Sequence, residues 1–91
     1  MADKIRCAHI LVKTETEAKN IKARLDKGEK FGAIAKNLSL CPSAKNSGDL
    51  GAFTRGKMVK EFEKTAFALE KGQISEPVKT KFGYHIIKRL E

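Results

Sequence analysis

Between Gly48 and Leu69 the chain passes once from glycine punctuation to helical spacing, and this constrains the fold more than any other stretch. Gly48, Gly51 and Gly56 permit tight turns and close backbone approach. Val59, Phe62, Ala66 and Leu69 then recur at the spacing of one buried helix face. Met58 stands just before that helix and brings a soft side chain beside Phe62. Leu50, Phe53, Met58 and Phe62 therefore meet near one loop-to-helix junction. Four such groups either make ordinary core or line a small hollow for one apolar side chain.

At 91 residues and 41% hydrophobic content, the chain has enough apolar surface for one compact core but not two, so residues 1–91 are read as one domain. The longest apolar run, Ala66 to Leu69, is far too short to cross a membrane. Met1-Ala2-Asp3-Lys4 carries no apolar region of a secretory leader, and the expected compartment is the cytoplasm. Cys7 and Cys41 lack the spacing of a redox pair and are expected as thiols. Two distant histidines give no zinc pattern, no glycine loop precedes a Lys-Ser/Thr pair, and no metal or cofactor is expected.

Ile5 to Lys13 reads as a strand, with Ile5, Cys7, His9 and Leu11 on one face and Arg6, Ala8, Ile10 and Val12 on the other. Thr14 and Glu17 form a capping box opening a helix that carries Ala18, Ile21 and Leu25 inward and stops at Gly28. Phe31, Ile34, Ala35 and Leu38 predict a second helix facing the core. Ser39 to Ser47 is turn-rich, and Gly72 is expected to end the third helix. Gln73 to Val78 predicts a short edge strand, Thr80 to Gly83 a turn, and Tyr84 to Leu90 the last strand. With a short strand before the third helix, this order implies an α+β domain with a four-stranded sheet and helices packed around it.

His9 and His85 are the only histidines, and each lies inside an apolar strand. If the first and last strands are antiparallel neighbours, both imidazoles reach the same side of the sheet. Alone, each is most simply a core histidine with its nitrogens satisfied. As a pair, the two can satisfy one another.

His9-Ile10-Leu11-Val12-Lys13, the Gly48–Leu69 stretch, Ile74-Ser75-Glu76-Pro77-Val78 and Phe82-Gly83-Tyr84-His85-Ile86-Ile87 resemble, in that order, the parvulin family of peptidyl-prolyl cis/trans isomerases. The resemblance runs from His9 to Leu90 and implies a four-stranded antiparallel sheet with the histidine pair beneath the active site. It implies that Leu50, Met58 and Phe62 take the proline ring, that Phe82 closes the far wall, and that His9, His85, Cys41 and Thr80 form a polar network beside it. Phe53 is implied to be framework. Phosphate-requiring relatives carry a basic loop after the first strand; here Lys13 runs straight into Thr14, which implies the branch that does not need phosphorylation.

The residue types suit this chemistry. Rotation about a peptide bond faces a barrier of about 18–20 kcal/mol because resonance stiffens the C–N bond. The twisted state is less dipolar, so an apolar pocket that removes water favours it without proton transfer. Cys41 beside a histidine could be a nucleophile. Yet isomerisation breaks no bond, and the family accepts aspartate at this position, so a hydrogen-bonding role is expected.

The net charge of +8 fits a solvated lysine surface, nucleic acid, anionic lipid or acidic substrates. Lys4, Arg6, Lys19, Lys22, Lys30, Lys88 and Arg89 are candidates for a patch meeting an anionic membrane surface, with Arg6 opposite Lys88 if His9 lies opposite His85. Aromatics do not interleave with the lysines, so specific nucleic-acid recognition is not expected. The leading expectation is a monomeric isomerase that acts on proline-containing peptides and unfolded chains and assists folding. The competing one is a module that grips proline segments with little turnover.

Overall fold

The structure is a computed structural model and describes residues 4–91; Met1, Ala2 and Asp3, read above for a leader, lie outside the described residues. Strand β1 (Lys4–Val12) is followed by helices α1 (Glu15–Asp26) and α2 (Phe31–Leu38), a 3-10 turn (Pro42–Asn46) and strand β2 (Asp49–Thr54). Helix α3 (Lys60–Ala68) and strands β3 (Val78–Thr80) and β4 (Gly83–Arg89) complete the order. The sheet runs β2-β1-β4-β3 with antiparallel neighbours throughout, the α+β architecture expected of a parvulin.

Alternation in the two central strands sorts the core into two layers. Ala8, Ile10, Val12 and Ile86 pack against Ala18, Ile21 and Leu25 of α1 and Phe31, Ile34 and Ala35 of α2. Ile5, Cys7 and Ile87 face the other way, onto Phe53 of β2 and Phe62 and Ala66 of α3. A strand buried on both faces reads as a nearly continuous apolar run, as Cys7 to Val12 does. Thr14 caps α1 by accepting the Glu17 N–H at 3.2 Å, as the capping box requires.

Four details depart from the expected arrangement. His9 lies opposite Ile87, and His85 opposite Leu11, so the imidazoles meet diagonally. The same register puts Lys88 beside Ala8, while Arg6 pairs with Ala52 of β2. The third strand is Val78–Thr80 rather than Gln73–Val78: Pro77 has no N–H to give, and upstream only an isolated bridge joins Ile74 to Lys88. There Ser75 serves in place of backbone, its N–H donating to Ile87 O at 2.7 Å and its hydroxyl accepting Ile87 N–H at 3.0 Å. Helix α3 stops at Ala68, and Gly72 lies beyond it, donating to Arg89 O. Leu38 is 42% exposed, because α2 ends on it and the chain turns away at Ser39.

Candidate active site

The site forms where β1, β2, β4 and α3 converge. Against Cys7 of β1, strand β2 sets two residues, Leu50 and Gly51, between the pairs Arg6–Ala52 and Ala8–Asp49. Gly51 takes φ +75°, and its N–H is held by the Asp49 carboxylate at 2.7 Å. In a regular strand Leu50 and Phe53, three apart, would face opposite ways. The bulge turns both onto the α3 side, where both join the same apolar layer. Gly48 is equally constrained: at φ +83°, a side chain there would run into the carbonyl of His9.

These elements enclose a hollow of about 460 Å³, lined by Leu50, Met58, Val59 and Phe62, by Leu11, Leu40, Cys41, Pro42 and Phe82, and by His9, His85 and Lys57. It therefore gathers the residues that the resemblance assigns to the proline ring: Leu50, Met58, Phe62 and Phe82. Leu40 and Phe82 stand 54% and 58% exposed at its mouth, large apolar groups without full cover. A larger, shallower groove of about 610 Å³ runs between α3 and residues 73–79, with neither histidine nor cysteine in its walls. The chemistry-bearing residues converge on the smaller hollow.

Phe62 stands edge-on to both imidazoles, 5.5 Å from each ring centre, and the imidazoles lie nearly parallel at 5.1 Å. Nδ1 of His9 faces Nδ1 of His85 at 2.9 Å, so one proton is shared across the contact. Nε2 of His85 lies 2.7 Å from the Thr80 hydroxyl, which also accepts the Phe82 N–H at 3.2 Å. Among the described residues the Thr80 proton has no other acceptor, so hydrogen-bond accounting gives it to His85 Nε2. His85 then carries its proton on Nδ1 and donates it to His9, leaving the His9 proton on Nε2. That last nitrogen is buried and unpartnered among the described residues.

Both rings are neutral near pH 7. Burial first, and the neighbouring His85 second, push His9 down to about 4, and burial alone lowers His85. A charge here would be desolvated by Phe62 and set two N–H groups against one another. The arrangement is thus a rigid, uncharged floor beneath an apolar hollow.

Cys41 departs from the implied network. It lines the hollow at the start of the 3-10 turn, half-buried, but its Sγ has no hydrogen bond among the described residues, and the connected chain is His9–His85–Thr80 alone. The Cys41 carbonyl accepts the Ala44 N–H at 2.9 Å, which anchors the 3-10 turn on this wall of the hollow. Sequence reasoning also passed over Leu11, Leu40 and Pro42. The inward face of β1, which already held His9, points to Leu11.

The cations considered for one surface patch are not gathered into it. Arg6 pairs with Asp49 and Glu91, Lys19 with Glu15, and Lys22 with Asp26 and Glu76. Arg89 is turned toward α3, donating to Leu69 O at 2.6 Å. Lys30 lies past the end of α1 at Asp26 and caps α2. Alternation along β4 puts Lys88 and Arg89 on opposite faces, and Lys4 lies exposed at the start of β1.

A family model described as the PPIC-type peptidyl-prolyl isomerase (rotamase) domain matches residues 9–91. The foldase protein PrsA of Geobacillus kaustophilus is 62% identical over 86 residues, a match covering 93% of this chain and 31% of the relative. The chain thus spans about a third of the length of that relative. Among solved structures, PrsA from Bacillus anthracis superposes with a TM-score of 0.95 at 49% identity, over 96% of this chain and 41% of that one. NmPin, the parvulin of Nitrosopumilus maritimus, superposes with a TM-score of 0.89 at 54% identity, over 100% of this chain and 99% of that one. With the sheet order, the hollow and the histidine pair in place, this chain belongs to the parvulin, or PPIC-type peptidyl-prolyl cis/trans isomerase, family.

Proposed function

We propose that this chain accelerates cis/trans rotation of Xaa-Pro bonds by seating the proline ring on Leu50, Met58 and Phe62 and stripping water from the imide. The observation that carries this reading is the apolar hollow of about 460 Å³ standing on two neutral, buried histidines. Water solvates the planar, resonance-stabilised imide better than the twisted one, so its removal raises the ground state relative to the transition state. Holding the ring while the preceding carbonyl swings supplies orientation. No bond breaks, so neither a nucleophile nor a general base is needed. Cys41 then offers a weak polar contact on the wall, and His9, His85 and Thr80 hold the floor in shape.

Substrates on this reading are proline-containing peptides and unfolded chains, and the work is assistance to folding, in keeping with relatives named as foldases. On this reading phosphorylation is not required, which the direct passage from β1, ending at Val12, to the Thr14 cap of α1 supports. We place the domain in the cytoplasm, a reading supported by its two free thiols, and read it as a monomer. The exposed Leu40 and Phe82 favour one alternative, a module that grips apolar chains without turnover. A protease-coupled isomerisation assay separates the two. Isomerase action predicts catalysis that Met58→Ala reduces at least about tenfold, as expected for a lost substrate contact. Binding without rate enhancement would establish the alternative.

A further inference from the structure

Resting on the isomerase reading, we infer that the outer face of α3 beside the hollow binds an acidic stretch of the same substrate chain, rich in Asp and Glu and a few residues from the prolyl bond. A surface depression of about 410 Å³ lies there, lined by Arg55, Lys60, Glu63, Lys64, Phe67 and Ala68. The Arg55 guanidinium stacks 4.2 Å above the Phe67 ring, which Phe53 in turn holds edge-on at 6.0 Å. Arg55 is therefore positioned before any ligand arrives, and less side-chain freedom is lost on binding.

The cations gathered in this depression are unused. Arg6, Lys22 and Arg24 each hold a carboxylate, whereas Arg55, Lys60 and Lys64 have none within ion-pair distance among the described residues. Glu63, the one carboxylate in the depression, accepts the Gly56 N–H and is tied to the loop. The depression stays net positive. Lys60 and Lys64 stand one helical turn apart, about 6 Å along the axis, which matches alternate side chains of an extended peptide. Lys57, three residues before Lys60, lines the catalytic hollow and links it to this face. Charge complementarity thus points to carboxylates on a chain whose proline already occupies the hollow. The contact would raise substrate capture rather than the rotation step.

The test uses two peptides sharing one Ala-Pro bond, one with a Glu-Ala-Glu segment nearby and one with Gln-Ala-Gln. For the acidic peptide kcat/KM should be about fivefold to tenfold higher at low salt, the scale of a few exposed ion pairs, and the advantage should vanish at high salt. Arg55→Gln/Lys60→Gln/Lys64→Gln should abolish it. Lys27→Gln/Lys30→Gln/Lys36→Gln removes equal charge from helices on the other side of the sheet and should preserve it. Amide shifts of the unmodified protein titrated with a proline-free Glu-Ala-Glu peptide should map to Arg55, Lys60 and Lys64, a readout independent of variant folding. Equal rates for the two peptides, or an advantage surviving the triple substitution, would overturn the inference. So would shifts at these residues from RNA or anionic vesicles with the acidic peptide silent. Failure of the isomerase reading has a separate signature: no turnover of either peptide while the shifts persist.

Discussion

Acidification should destabilise this domain well before its carboxylates are protonated, and the loss should trace to His9. A histidine ordinarily titrates near 6.5, whereas burial and then His85 lower His9 to about 4 in the folded state. As pH falls through 6.5 the unfolded chain takes up a proton that the folded chain refuses, so the unfolded state gains. The contribution of the neutral ring is fully present above the unfolded value and is lost as pH falls toward the folded one. Each pH unit across that window is worth about 1.4 kcal/mol per proton, so the gap gives a ceiling of about 3.5 kcal/mol from His9. His85, also lowered by burial, adds to the slope. Asp49, held down chiefly by its hydrogen bond from Arg6, and Glu29, held down chiefly by that from Arg24, act only from about their ordinary values of 3.8 and 4.5 downward, so the window above 4.5 belongs to the histidines. Against a typical domain stability of about 5–15 kcal/mol, such a loss is readily measured. Urea unfolding between about pH 7.5 and pH 4.5 should give stability that is level at first and then falls steeply. His9→Asn should fall less steeply. Stability level across the window, or an equal slope in the variant, would refute the neutral, buried assignment.

Other substitutions probe the site's supports. Gly48→Ala sets a side chain against the His9 carbonyl at φ +83°, so thermal unfolding should reveal a loss of at least about 2 kcal/mol with activity falling alongside. Thr80→Val leaves His85 Nε2 and the Phe82 N–H without their partner; it should cost about 1–3 kcal/mol, and nitrogen NMR of the imidazoles should register mixed tautomers. Cys41→Ser should lower kcat/KM less than about tenfold, with no covalent adduct in mass spectra of the turning-over enzyme, because Cys41 acts by contact and not by attack.

Much of this fold was legible in the sequence because alternation fixes faces. The split of β1 into a His9 side and an Ile10 side, and the agreement of His85 and Ile87 with the former, follow from a period of two. Register is another matter. Shifting β4 by two residues against β1 leaves every side chain on its face, so the pattern cannot distinguish His9 opposite His85 from His9 opposite Ile87. The observed offset pairs Val12 with Tyr84 and His9 with Ile87.

The hollow's residues were legible as a group, but the reason that Leu50 and Phe53 share a face was not. That depends on a bulge at Gly51, and an isolated glycine in a strand signals a bulge without fixing its direction. The third strand was placed too early because Ile74 and Val78 look alike in composition, whereas the N–H missing at Pro77 delays the ladder. Cys41 entered the polar network only by resemblance, and the fold of its turn leaves it on the wall.

The central claim is that removing water from an imide in this hollow is enough to speed its rotation. Exchange spectroscopy on an Ala-Pro peptide, in water and in heavy water with catalytic amounts of protein, addresses it most directly. The account predicts exchange far faster than the spontaneous tens to hundreds of seconds, with equal maximal rates in the two solvents because no proton moves. Peptide shifts mapping to Leu50, Met58 and Phe62 while cis and trans exchange at the spontaneous pace would contradict it, as would a large solvent isotope effect.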